Sequence, residues 1–394
     1  MINILFLGLV SFFTDISTEM VYPLIPLYLT GHFGAKPDLI GIIEGIAEST
    51  ASLLKVFSGY LTDRFKKAKL IAFSGYAGSL FYKLALLLSR SWWGILIARV
   101  IDRTGKGIRT APRDVLVSES AGEGNMGRAF GLHKALDMCG ATLGVLITWF
   151  LLRGNTGEFN YQFLFMISVV PAVLGLCMFL FVKPGGASPA PAKHREPFWR
   201  GIRQLDRQLF LYLAVVFLFT LGNSSDAFLF LRARDAGFGE ADVILLYFLC
   251  NATASALSMP FGRLSDKIGR KKLLVPGYLA FAACYLGFAF ARGQALMVTI
   301  FVLYGAYTAM ITGVERAFVA EIAPPALKGT MLGLQATVAG VALLPASAIA
   351  GALYDAKGPA APFVFGAALS LAAAVILMFL MKEMHTQKEI AVPA

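Results

Sequence analysis

The sixteen residues from Arg99 to Asp114, RVIDRTGKGIRTAPRD, carry seven charges: Arg99, Asp102, Arg103, Lys106, Arg109, Arg113 and Asp114. Wound as a helix at ~100° per residue, all seven fall within an arc of about 140°. Val100, Ile101, Thr104, Ile108 and Ala111 take the other side. The surrounding sequence is apolar enough to cross a bilayer, where an ionisable side chain is costly and faces water, a partner charge or a ligand. Such an ionic face could hold a charged solute, carry protons or lock helices together. Arg113 and Asp114 also fit a solvated helix end.

Further candidates lie on neighbouring apolar stretches. In SFFTDISTEMVYPLIPLYL, Asp15 and Glu19 are four residues apart and share a helical face with Ser11, Tyr22 and Pro26. Two carboxylates near mid-membrane suit proton or substrate handling, with an ion pair to Arg99 or Arg103 as the structural alternative. Glu44, Glu48 and Lys55 share a stripe with Gly41, Ser52 and Gly59, which fits a gate or static packing. His133, Lys134 and Asp137 precede Gly140 and Gly144. His133 titrates near neutrality when unperturbed, yet a hydrogen-bonded structural histidine has the same signature. The later sequence is less charged. Asn223, Ser224, Ser225 and Asp226 lie together, and Tyr304, Tyr307, Thr308 and Glu315 fall on one face with Arg316 beside it. Tyrosines lining a cavity would suit an amphipathic ligand. An interhelical hydrogen-bond pattern is the other explanation.

The elements that must hold these residues follow from composition. The chain has 394 residues, 57% hydrophobic and only 15% charged, with mean hydropathy +0.68. That is a polytopic membrane protein rather than a soluble domain. Its first residues, MINILFLGLVSFF, lack the basic start and cleavage site of a secretory signal. The net charge of +11 sits in short loops, where it sets orientation rather than marking nucleic-acid binding. Cys139, Cys177, Cys250 and Cys284 all fall in apolar spans with no disulfide or metal spacing. No loop is long enough for a large soluble domain.

Hydropathy predicts twelve spans: 4–30, 39–61, 69–89, 92–116, 126–152 and 161–182, then 207–231, 240–262, 272–291, 295–318, 328–353 and 360–381. The halves, 1–182 and 207–394, are joined by a Pro/Gly-rich and then basic linker, 183–206, expected to be a partly disordered tether with Phe198, Trp199 and Ile202 on the bilayer surface. Basic clusters at Arg64–Lys69, in the linker and at Lys267–Lys272 fall on one side, which the positive-inside rule makes cytoplasmic, together with both termini.

The halves also repeat. GYLTDRFKK, with Asp63 and Arg64, aligns with GRLSDKIGR, with Asp266 and Lys267, at an offset of 203 (266 − 63). Thr50-Ala51-Ser52 meets Thr253-Ala254-Ser255 at the same offset. Parallel repeats of six spans predict a central site between two bundles. This loop motif, the six-plus-six pattern and the basic middle linker resemble the major facilitator superfamily over essentially the whole chain. The Asp266 copy matches cleanly; the Asp63 copy has Lys66-Lys67 where Gly-Arg is usual. The resemblance implies an all-α membrane fold of two six-helix bundles that rock in alternating access. Spans one, four, seven and ten would line the cavity, and spans two, five, eight and eleven would form the bundle interface. It also implies a cytoplasmic latch built from Asp63, Arg64 and Asp114 with Asp266, Lys267 and Arg316, flanked by Arg113. The spacing Gly131-x8-Gly140-x3-Gly144 resembles the glycine-rich motif of the drug/proton antiporter branch, with Val145 where that motif has proline.

These features predict a proton-coupled secondary transporter in the cytoplasmic membrane, exporting a small amphipathic or charged organic solute. The alternative is a proton-coupled symporter for an organic anion held by Arg99, Arg103, Arg109 and Lys134. Protons would be handled by Asp15 and Glu19 with Arg103 as switchable partner, and Asp102, His133 and Asp137 would contribute. Tyr22, Asn223, Asp226, Tyr304, Tyr307 and Glu315 would line the cavity, with Glu48 and Lys55 at the gate. A membrane enzyme is the other class, but no HExxH, GxSxG or cysteine-pair motif supports it, and the lack of a P-loop argues against direct ATP coupling. No cofactor or metal is expected beyond the coupling proton. The partners expected are the lipid bilayer and one small solute, with no nucleic acid, and the chain would work as a monomer.

Overall fold

The computed structural model describes residues 2–65, 67–121, 126–153, 160–184, 207–322 and 328–380. Linker residues 185–206 and the side chains of Asp63 and Glu321 lie outside the described residues. Span one is Ile2–Val21, a 3-10 turn at Tyr22–Leu24, and Ile25–Phe33. Pro23 and Pro26 interrupt it because a proline cannot donate to the helical ladder. Spans two to six are Pro37–Phe65, Ala68–Leu88, Trp92–Ser120, Met126–Arg153 and Tyr161–Leu180. Span seven is Arg207–Gly222 and Ala227–Asp235, broken at Asn223–Asp226. Spans eight and nine are Glu240–Ile268 and Arg270–Phe290. Span ten is Gln294–Ile311 and Val314–Ile322, and spans eleven and twelve are Lys328–Lys357 and Ala361–Leu380.

The helices form two six-helix bundles. Ten of them are long and apolar enough to cross a bilayer among the described residues. The two that do not qualify are Pro37–Phe65 and Trp92–Ser120, the helices carrying the candidate site. Their charges are not spread around the helix but turned inward. Arg99, Asp102, Arg103 and Glu44 are each 3% exposed or less. The lipid-facing sides stay apolar, as Phe57, Trp93 and Ile97 show.

The bundles meet along two seams, span two against span eleven and span five against span eight. This is the pairing the resemblance implied. Close approach along the first seam depends on glycine, since apolar surface alone does not drive helices together in lipid. A Cβ on Gly45 would lie 2.9 Å from the Leu344 carbonyl oxygen, and one on Gly340 would lie 2.7 Å from the Ser52 Cβ. Bonds joining the halves among the described residues lie at the middle of the molecule and at the end near Gly34. They include Ser49 to the Gly340 carbonyl at 2.6 Å, Tyr161 to Glu240 at 2.7 Å and Lys36 to Asp355 at 4.0 Å. Toward the Lys67 end, Tyr60 of span two and Met259 of span eight are 59% and 65% exposed. The bundles are thus sealed on one side and parted on the other.

Candidate functional site

The centre of the amino-terminal bundle is an ion-pair ladder between spans two and four. Both spans run in the same direction. Residues four apart therefore stay in step, and Glu44 faces Arg99 as Glu48 faces Arg103. Arg99 donates twice to Glu44, at 2.9 and 2.6 Å, a bidentate geometry that matches guanidinium to carboxylate. Arg103 reaches Glu48 at 3.0 Å. Asp102 lies between them, 3.6 Å from Arg99 and 3.8 Å from Arg103. Both guanidinium groups also lie over the Tyr22 ring, at 5.1 and 5.2 Å. Span four can approach this closely because Gly107 sits against the Ala51 backbone, where a Cβ would lie 2.9 Å from a carbonyl oxygen.

Lys83 of span three is fully buried beside this ladder, with its ammonium 4.2 Å from the Tyr82 ring centre and no hydrogen-bond partner among the described residues. Further along span four, Arg109 donates to Ser79 and lies over the Tyr76 ring. Tyr76 and His133 both bond to Ser11, at 3.2 and 3.0 Å. His133 is 4% exposed, so its ring is buried at this bond.

The carboxylates of span one have other partners. Asp15 contacts the Asp137 carboxyl of span five. Asp137 is also held by Lys134 at 2.7 Å and lies 4.0 Å from Arg113. Glu19 accepts from Tyr247 of span eight at 3.1 Å, a bond between the two bundles. Arg103 is within electrostatic reach of Glu19, but its ion pairs go to Glu48 and Asp102. Gly140 and Gly144 receive the backbone of span one at Phe12 and Ile16. The glycines of the antiporter-like motif therefore serve close packing, which brings Asp137 to Asp15.

The carboxyl-terminal bundle is organised differently. Phe219, Tyr278, Phe281, Tyr285, Tyr304 and Tyr307 form a continuous ring-to-ring cluster. Tyr304 and Tyr307 are each 5% exposed, so their rings are packed and only their hydroxyls reach polar groups. Tyr304 bonds to Asp226 at 3.3 Å, and Asn223 to Tyr307 at 3.4 Å. Glu315 accepts from Tyr278 at 2.9 Å. The break in span seven frees Ser225 to reach Glu44 across the seam at 3.5 Å. Of the residues placed on the cavity by sequence, Tyr22, Asn223, Asp226 and Glu315 remain half-buried, while the two tyrosines belong to the core.

The latch residues are apart. Arg64 lies beside Tyr60 and Phe65 on its own helix, Asp114 pairs with Arg113, and Asp266 pairs with Arg270. Lys267 and Arg316 are exposed at the parted end. Sequence reading missed Lys83, Tyr76, Ser79 and Tyr247. Each is a single polar residue in an apolar run, and a partner several helices away is invisible to periodicity. A lone lysine inside 69–89 was the one available signal.

The sequence profile of the Major Facilitator Superfamily matches residues 7–253 and 231–394. An uncharacterized MFS-type transporter of Methanocaldococcus jannaschii is 36% identical over 384 residues, covering 96% of this chain and 94% of that protein. Multidrug resistance protein MdtH of Aeromonas salmonicida is 23% identical, covering 98% and 96%. Among solved structures, the nucleoside transporter NupG superposes with a TM-score of 0.82 at 12% identity, covering 96% of this chain and all of that one, a likeness of fold. The fold, the paired bundles and these matches together place the chain in the major facilitator superfamily, as a multi-pass membrane transporter and not an enzyme.

Proposed function

We propose that this protein is a proton-coupled secondary transporter of a small organic solute, working by alternating access. The observation that carries the reading is the contact between the Asp15 and Asp137 carboxyls, on spans one and five, with Glu19 one turn away. Two carboxyls in contact can hold one proton between them, and their exchange of it is sensitive to any charge brought near. The basic loops orient the parted end toward the cytoplasm, so the conformation described is inward-open. The latch at Asp63 and Asp266 would then engage in the opposite state.

Two directions of transport follow from different observations. Export by antiport is supported by the likeness to MdtH, a protein named for multidrug resistance. Symport with an organic anion is favoured by the geometry. Arg99, Arg103 and Arg109 are committed to internal partners and Lys134 to Asp137, whereas Lys106 makes no ion pair among the described residues and has Asp15 and Glu19 in electrostatic reach. Protonating either carboxyl removes a negative charge beside Lys106. Proton and anion would each strengthen the other's binding, by reciprocal linkage, and ligands that bind together travel together.

Proteoliposome flux under an imposed pH gradient tests the reading. Asp15→Asn and Asp137→Asn should each abolish accumulation driven by the gradient while leaving solute exchange. Accumulation with unchanged pH dependence in both variants would place the proton site elsewhere.

A further inference from the structure

The ladder between spans two and four ends abruptly. Two rungs are complete, Glu44 with Arg99 and Glu48 with Arg103. One turn further toward the parted end, the acids stop. Gly107 meets Ala51 and Leu54 there, and the next charges are both positive, Lys55 on span two and Lys106 on span four. Both lysines are half-buried. Neither makes a hydrogen bond or an ion pair with any described residue. The charges within reach of them come from spans one, two, four and ten. Lys106 is near Arg103, Glu48, Glu19 and Asp15, while Lys55 is near Lys106, Glu48, Arg103 and Arg316. Glu48 is already bound to Arg103. A half-buried ammonium without a hydrogen-bonded counter-charge is an unfavourable arrangement, and two neighbours of one sign compound it.

Arg316 comes from the other bundle. It is exposed on the second segment of span ten, within electrostatic reach of Lys55 and of Glu315 beside it, with no ion pair among the described residues. Closing the parted end requires the bundles to approach there, which drives Arg316 toward Lys55 and Lys106. Three cations from three helices then converge on a space that loses its water. Like charges brought together in a low-dielectric space repel strongly. Closure is therefore opposed by the protein's own charge until an anion occupies that space.

We infer that Lys55, Lys106 and Arg316 form a binding site for the anionic group of the substrate, a carboxylate, phosphate or sulfonate, and that this anion is the counter-charge that permits the parted end to close. The inference rests on the transporter reading above and names the substrate class of the same cavity. It also reassigns the anion site. The arginines that the sequence singles out for it are structural, and the two lysines one turn further along, with an arginine of the second bundle, take its place. Obligatory loading follows directly: an empty carrier stays open, and a loaded one crosses.

The test uses the full chain with its four cysteines replaced by alanine and a single reporter, Met259→Cys, at the open mouth. Maleimide labelling of the purified protein is measured with phenyl phosphate, and with phenyltrimethylammonium at the same concentration. Phenyl phosphate should slow labelling several-fold and the cation should not. Lys55→Gln and Lys106→Gln should label slowly without any ligand, because repulsion no longer holds the mouth open, and should not respond to phenyl phosphate. Arg316→Gln, at an exposed position that tolerates substitution, should behave alike even if a lysine variant folds poorly. Arg90→Gln, on the opposite side, should respond as the parent does. Equal slowing by the cation, or a full phenyl phosphate response in Lys55→Gln and Arg316→Gln, would overturn the site. Loss of proton-linked flux in the parent with an intact anion response would instead overturn proton coupling and leave the site standing.

Discussion

The two bundles descend from one repeat but keep their cores together by different means. At the offset of 203, Arg99, Asp102, Arg103 and Lys106 correspond to Val302, Gly305, Ala306 and Ala309, and Glu44 and Glu48 to Tyr247 and Asn251. Where the amino-terminal bundle buries a charge ladder, the carboxyl-terminal bundle has small residues that let helices touch. Gly305 lies against the Cys250 backbone, and aromatic rings fill the remaining space. A ring cluster is held by dispersion and has little to exchange. An ion-pair ladder has partners that can be traded for a proton or a substrate at small displacement. The charged bundle is therefore where switching is expected, and the aromatic bundle is the surface against which it works.

The comparison predicts unequal sensitivity. Arg99→Met strands the buried Glu44 carboxylate, and such a broken pair costs about 3–5 kcal/mol. Its thermal unfolding in detergent should shift by far the most of any variant considered. Restoring neutrality with Arg99→Met plus Glu44→Leu should recover most of the loss. Failure of the double variant to recover would mean that the ladder is held by something other than charge balance.

Where the two bundles meet, effects should be conformational. Gly45→Val pushes into the Leu344 backbone at the sealed end. It should open that end and slow labelling of Met259→Cys several-fold. Gly59→Ala, on the same helix but with its nearest neighbour at 3.6 Å, should leave labelling unchanged. Equal responses would show that the seam does not set the conformation.

In the aromatic bundle, Tyr285→Phe removes one long hydroxyl contact to Asn223, 3.5 Å, and should cost no more than about 1 kcal/mol. A loss matching that of Arg99→Met would break the comparison. The smallest effect should come from within the charged bundle. Lys134 is 66% exposed, and its pair with Asp137 is worth at most about 0.5 kcal/mol after solvent screening. Lys134→Gln should unfold within error of the parent, which would show that burial and not charge count sets the weight of an ion pair.

Much of this architecture was legible in the chain. Twelve spans could be cut from the sequence, ten of them apolar enough to stand on hydropathy, and span four was recognisable through its charges because they fall on one face. Breaks within spans were less legible. Span one turns at Pro23 and Pro26, which sequence shows, but span seven opens at Asn223–Asp226 with no proline. The site was legible as a set of residues and not as a set of pairs. Arg103 was expected beside Asp15 and Glu19, yet its ion pairs are with Glu48 and Asp102.

Sequence by itself determined that this is a membrane protein, how its helices run, which faces carry charge and that its halves are repeats. Those properties depend on local composition and on helical period, which each segment carries alone. Tertiary structure decided which charge meets which. An ion pair needs two atoms within a few ångströms, and that distance depends on where glycines let helices approach and on how spans two and four are set in register. Tertiary structure likewise left Lys55 and Lys106 without an ion pair among the described residues. A lysine reads the same in sequence whether or not a carboxylate waits for it on the next helix.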